Sequence, residues 1–172
     1  MTDHSKNVDF QNRSKEVRWP SDHKPEDSNL FAHNEIYIEA PIATVWQNLV
    51  DVKKWSTWYP NASNVKITTG LGDRIEAGSV FEWDTFGMRF KSEVFEFEPY
   101  ERLAWNGLRE GWDTYHAWLL RSVGDGTLVI TEEAGKGSGA ISLRQSDPQG
   151  MHIGHDLWLG TLKRLSEKKR PS

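Results

Sequence analysis

The sequence predicts an α+β domain in which a curved, antiparallel, seven-stranded sheet wraps around a long C-terminal helix, with two short helices after the first strand. Three observations predict it. Apolar residues fall at helical spacing just after Pro41, alternate with a period of two beyond residue 61, and form a single helical stripe over 151–165. At 172 residues the chain has the size of one domain, and no internal repeat divides it.

Taken in order, residues 1–30 read as a flexible, charged N-terminal extension. Residues 1–29 hold eleven Asp, Glu, Lys or Arg but only five apolar side chains, Met1, Val8, Phe10, Val17 and Trp19. Such a stretch buries too little to offset the entropy of ordering it. Trp19-Pro20 is the one point equipped to dock on the domain, which is expected over 31–168, with a tail at 169–172. Ile36 and Ile38 alternate with Glu35, Tyr37 and Glu39 in a first strand over Asn34–Glu39, which Ala40-Pro41 ends. Pro41 suits a first helical turn, and Ile42, Val45, Trp46 and Leu49 follow at helical spacing. Asp51 is placed to cap a second short helix through Trp55, which Tyr59-Pro60-Asn61 breaks.

Six further strands are expected at Asn64–Thr69, Ser79–Phe86, Arg89–Glu98, Arg102–Leu108, Thr114–Val123 and Thr127–Ala134. Glycine and proline separate them so briefly that neighbours must pair antiparallel in a meander. Gly135 to Ala140 reads as an entrance loop or a plain connection. Asp147-Pro148 has the character of an N-cap and first turn, after which Met151, His155, Trp158, Leu162 and Leu165 lie on one stripe. The cationic end, Lys163, Arg164, Lys168, Lys169 and Arg170, suits a helix C-terminus.

Composition excludes several functions. The net charge is -4, so no global field draws nucleic acid or an anionic membrane. There is no cysteine, which removes disulfides, thiolate metal sites and Cys nucleophiles. The N-terminal stretch has no apolar signal region, and no run is apolar enough to insert in a membrane, which leaves the cytoplasm as the expected location. The Asn-x-Ser triplets at Asn12 and Asn61 then carry no glycan. The glycines fit no phosphate-binding loop, and Gly137-Ser138-Gly139 lacks the spacing of a nucleophile elbow.

Glu39-Ala40-Pro41-Ile42-Ala43-Thr44-Val45-Trp46, followed by Leu49, Asp51, Trp55, Trp58 and Pro60, resembles the opening of the START/Bet v 1-like superfamily, in particular its polyketide cyclase/dehydrase-like branch. Phe81-Glu82-Trp83, Phe97-Glu98-Pro99, Arg102-Leu103-Ala104-Trp105, His116-Ala117-Trp118, Gly126-Thr127 and Glu132-Glu133 extend the likeness over about residues 32–168. The resemblance implies the helix-grip fold and a cavity between sheet and helix for an apolar or aromatic small molecule. Some members catalyse cyclisation or dehydration and others activate a chaperone ATPase through surface contacts; no catalytic set is shared among them.

The residues themselves suggest where chemistry sits. If Leu108 faces Asp113, then Trp105 lies opposite His116; a two-residue turn at Gly124-Asp125 then puts Glu133 opposite His116 and Thr131 opposite Trp118. His116 beside Glu133 on an aromatic wall is suited to acid–base chemistry, to orienting a ligand carbonyl or hydroxyl, or to a satisfied place in the core. These two are the best catalytic candidates. Trp83, Trp105, His116, Trp118, Glu133, His155 and Trp158 are the candidate ligand-binding residues. His152 and His155 are spaced as a metal pair would be, with Asp156 adjacent, but a core or cavity histidine is the better reading, so neither metal nor cofactor is expected. The leading function is enclosure of an apolar or aromatic small molecule, with cyclase- or dehydratase-like catalysis in view; the alternative is a protein-interaction module.

Overall fold

The computed structural model describes residues 4–168. Helix α1 (His4–Asn12) precedes strand β1 (Leu30–Ile38), followed by α2 (Ile42–Val50) and α3 (Trp55–Trp58). Strands β2 (Ala62–Thr69), β3 (Val80–Thr85), β4 (Met88–Glu98), β5 (Arg102–Arg109), β6 (Trp112–Val123) and β7 (Gly126–Lys136) come next, then helices α4 (Ser138–Ser146) and α5 (Gly150–Ser166). The seven strands form one antiparallel sheet in the order β1-β7-β6-β5-β4-β3-β2. It is the meander that the short separators predict, closed when β7 returns to the first strand. Register shifts between Ser63 and Lys66, Ile67 and Thr69, and Val94 and Glu96 supply the local bends that curve the sheet. The β3–β4 hairpin turns on Phe86 and Gly87, both with positive φ (50° and 73°), the primed geometry that matches strand twist.

The inner face of the sheet carries the core. Val45, Trp46 and Leu49 of α2 and Trp158, Leu159 and Leu162 of α5 join Phe81, Trp83, Trp105 and Trp118 from the strands in one buried cluster. Leu165 and Met151, from the predicted stripe, are only partly buried, because α5 settles with Leu159 as well as Leu162 inward. Leu162→Ala should therefore cost about 2–5 kcal/mol in urea unfolding, as a core truncation does. Lys163→Ala, which loses bonds to the Tyr37 carbonyl and Glu167 at the surface, should cost under ~1 kcal/mol. Similar costs at the two positions would contradict this helical phase.

Several expectations need correction. Where a loop is expected over Gly135 to Ala140, Gly135 and Lys136 finish β7 and Ser138 opens α4, of which Asp147 is the C-cap; α5 begins at Gly150 behind Gln149. Ala140 is the buried contact that holds α4 down. Asp51 makes no capping bond; a 3-10 turn over Val52–Lys54 intervenes, and the carboxylate pairs with Lys54 instead. The first strand starts at Leu30, because Leu30, Phe31 and Ala32 are buried against β7. Lys169, Arg170 and the tail 169–172 lie outside the described residues.

The largest difference concerns the N-terminal segment, which packs on the outer face of the sheet instead of standing free. Trp19 meets Phe31 edge-on at 5.9 Å and Tyr115 at a tilt at 5.8 Å, Phe10 meets Phe31 at 6.2 Å, and Val17 and Trp19 cover Ala104, Tyr115 and Ala117. The polar groups are used as well. Ser14 N–H donates to the buried Glu132 at 2.5 Å, Arg102 donates to the Glu16 carbonyl at 2.7 Å, and His23 pairs with Asp113 at 2.7 Å. Composition misleads here because the apolar area comes from the domain's own outer face, and three spaced aromatic or aliphatic side chains suffice to cover it.

Candidate functional site

Between sheet and helices lies a cavity of about 290 Å³. Its walls are aromatic: Tyr59, Trp83, Phe90, Trp105, Trp112 and Trp158, with Phe86, Leu143 and Met151 contributed by the β3–β4 turn and the α4–α5 region. Phe86 is half exposed and its ring lies over Gly154 of α5, where a Cβ would come within 2.5 Å of it. A glycine is thus required for that close approach.

His116, Glu133 and His155 are the polar group in this wall, brought from β6, β7 and α5. The strands place the first two directly, for Trp105 faces His116 and His116 faces Glu133 in the register that hairpin arithmetic predicts, with Trp118 facing Thr131. His116 Nδ1 lies 3.5 Å and His155 Nε2 2.8 Å from the same oxygen, Glu133 Oε2. The two imidazoles stack at 4.7 Å.

Their outer nitrogens are bound too. His116 Nε2 sits 2.7 Å from Thr131 Oγ1, and His155 Nδ1 sits 3.3 Å from Asn34 Oδ1. Burial drives the His116 imidazole down to about 3, against the pull of Glu133, so the ring is neutral near pH 7. Burial acts to raise Glu133, but the adjoining imidazoles and the Thr114 hydroxyl outweigh it and keep the carboxylate ionised.

Six of the seven sequence-predicted residues therefore line the cavity: Trp83, Trp105, His116, Glu133, His155 and Trp158. Trp118 does not. It shares the face of His116 but lies farther along β6, stacked on the His116 ring at 5.0 Å and covered by Trp158 at 5.1 Å. The histidine pair on α5 also separates. His152 turns to Asp9 of the N-terminal segment at 3.1 Å, whereas His155 joins His116 and Glu133. Asn34, Thr131 and Thr114 escaped the sequence reading. The hairpin arithmetic places Thr131 opposite Trp118, and its hydroxyl reaches the diagonal neighbour His116 instead; Asn34 comes from a pairing of β1 with β7 that no hairpin announces.

A match to the family described as polyketide cyclase/dehydrase and lipid transport covers residues 32–143. No curated protein matches the chain. Among solved structures, a hypothetical protein of Helicobacter pylori is 29% identical with a TM-score of 0.83, over 90% of this chain and 98% of its own. A START superfamily protein from Mycobacterium smegmatis shares 13% identity at a TM-score of 0.63, over 80% of this chain and 97% of its own. The di-domain ARO/CYC protein BexL of the BE-7585A biosynthetic pathway shares 18% identity at 0.63, over 84% of this chain and 53% of its own. The last two likenesses are of fold. No helix among the described residues is long and apolar enough to cross a membrane.

Proposed function

We propose, since the chain belongs to the polyketide cyclase/dehydrase and lipid transport family, that it encloses a small, flat, aromatic or apolar molecule, held by ring stacking and oriented through a hydroxyl or carbonyl. The carrying observation is the cavity itself. Its volume of about 290 Å³ lies just under the ~300–1,000 Å³ usual for small-molecule pockets, which suits a fused-ring compound better than a long acyl chain. Indole and phenyl walls supply area and stacking, and His116, Glu133 and His155 are the convergent polar groups that fix orientation. The same cluster suits proton transfer, which makes a cyclisation or dehydration step the natural chemistry for a bound polyketide-like molecule. The interaction-module reading has less support from the N-terminal segment, because its Val17 and Trp19 are spent on the chain's own sheet.

Naphthol is a suitable probe. It should quench tryptophan fluorescence saturably at one molecule per chain and raise the melting temperature by mass action, while Leu143→Trp, which fills the cavity, should weaken it about tenfold or more, in line with lost burial of a few kcal/mol. Preference for a long-chain fatty acid over naphthol would reject the flat-ligand reading, and saturable binding of neither would reject the carrier reading altogether.

A further inference from the structure

We propose that His116, Glu133 and His155 form a site for one divalent first-row transition ion, with a coordination position left open to the cavity. One ligand atom from each residue lies within 4.8 Å of the others, and the two contacts to Glu133 Oε2 measure 2.8 and 3.5 Å. An ion bonded tetrahedrally at ~2.0–2.1 Å needs its ligand atoms roughly 3.4 Å apart; the two contacts to Glu133 bracket that spacing, and the stacked imidazoles must turn toward each other to aim both nitrogens at one ion.

The hydrogen bonds around the triad make the stronger argument. Asn34 donates through Nδ2 to the His152 carbonyl at 3.1 Å and to Asp156 at 2.8 Å, which fixes its amide with Oδ1 toward His155. That oxygen can only accept, so His155 gives it the Nδ1 proton, and Nε2 is the nitrogen aimed at Glu133 Oε2, 2.8 Å away. On the other ring, the Thr131 hydroxyl donates to the Ala117 carbonyl at 3.1 Å and must therefore accept from His116 Nε2–H. The His116 lone pair, on Nδ1, is likewise turned to Glu133. One nitrogen of each imidazole and a carboxylate oxygen thus meet inside an aromatic enclosure, each histidine held through its other nitrogen by an outer partner. This is the arrangement by which metal-ligating histidines are oriented. A metal cation there takes the place of the proton shared between His155 and Glu133, as metal binding at histidine and carboxylate ligands does.

Two imidazoles and one carboxylate select Zn²⁺, Fe²⁺ or Co²⁺ over Mg²⁺ or Ca²⁺, and three protein ligands leave room for water or for a hydroxyl or carbonyl entering from the cavity. The inference does not depend on the aromatic-ligand reading, since it is tested with metal alone and that reading with naphthol in the presence of a chelator.

Untagged, full-length, chelator-treated protein should bind one Co²⁺ per chain with visible absorption from a nitrogen- and oxygen-ligated centre, and Zn²⁺ should displace it and raise the melting temperature. Glu133→Gln and His155→Gln should weaken binding by ~100-fold or more, and the positioning variants Asn34→Leu and Thr131→Val by about 10–100-fold with a shifted Co²⁺ spectrum. His152→Ala should leave the site intact. Should a variant fail to fold, ¹⁵N NMR of the wild type decides: Zn²⁺ should shift His116 Nδ1 and His155 Nε2 and spare the other imidazoles. Lack of saturable binding, binding that survives Glu133→Gln, or shifts confined to other histidines would overturn the proposal.

Discussion

Deleting residues 1–28 should lower stability by on the order of 5 kcal/mol in denaturant titration, combining loss of an aromatic cover with exposure of a buried carboxylate. The deletion strips Trp19 and Phe10 from Phe31 and Tyr115 and removes the Ser14 N–H that serves the fully buried Glu132. Trp19→Ala alone should account for about 3 kcal/mol, near the low end for core aromatics because the ring is only partly buried. Against a typical total of ~5–15 kcal/mol this is a third or more of the stability, equivalent to roughly 10–20 °C in Tm for a domain of this size. A truncated protein melting within a few degrees of the full chain would show that the segment rests on the sheet without supporting it.

Trp158→Ala should cost about 3–5 kcal/mol and abolish naphthol binding. The ring is stacked on Tyr59 at 4.4 Å and meets Trp55 and Trp118 edge-on at 5.2 and 5.1 Å, so it joins α3, α5 and the sheet while forming part of the cavity wall. Its indole N–H is buried without a partner among the described residues. Trp158→Phe removes that unsatisfied donor while keeping much of the ring contact, and should cost less than about 2 kcal/mol. Equal losses for the two variants would mean that ring area at this position is not what secures the fold.

What could be read in advance follows from distance along the chain. Trp105, His116 and Glu133 are related by two tight hairpins, and once the turn lengths are set, the index sums place every opposed pair. His155 was legible as an inward position from the α5 stripe, but its meeting with Glu133 required knowing how α5 crosses the sheet. Asn34 is beyond reach as a partner of the site, because β1 and β7 are joined by no turn. The N-terminal segment departs from what its composition implies for a related reason. Val17 and Trp19 look sparse among charges until the small side chains Ala104 and Ala117 on the outer face leave room for them.

The closure of the sheet sets a schedule for biosynthesis. Leu30 pairs with Gly135 and Ile38 with Thr127, so β1 leaves the ribosome about a hundred residues before the strand that completes it. At ~5–20 residues per second that delay is roughly 5–20 s. Throughout it, a strand beginning Leu30-Phe31-Ala32 offers unpaired backbone groups to any neighbouring chain. His33, Asn34 and Glu35 break that run with polar side chains, as residues that discourage intermolecular strand pairing do. Asn34, which in the finished protein holds His155, thus also guards the nascent chain, and a more apolar residue there would be felt first as a loss of soluble yield.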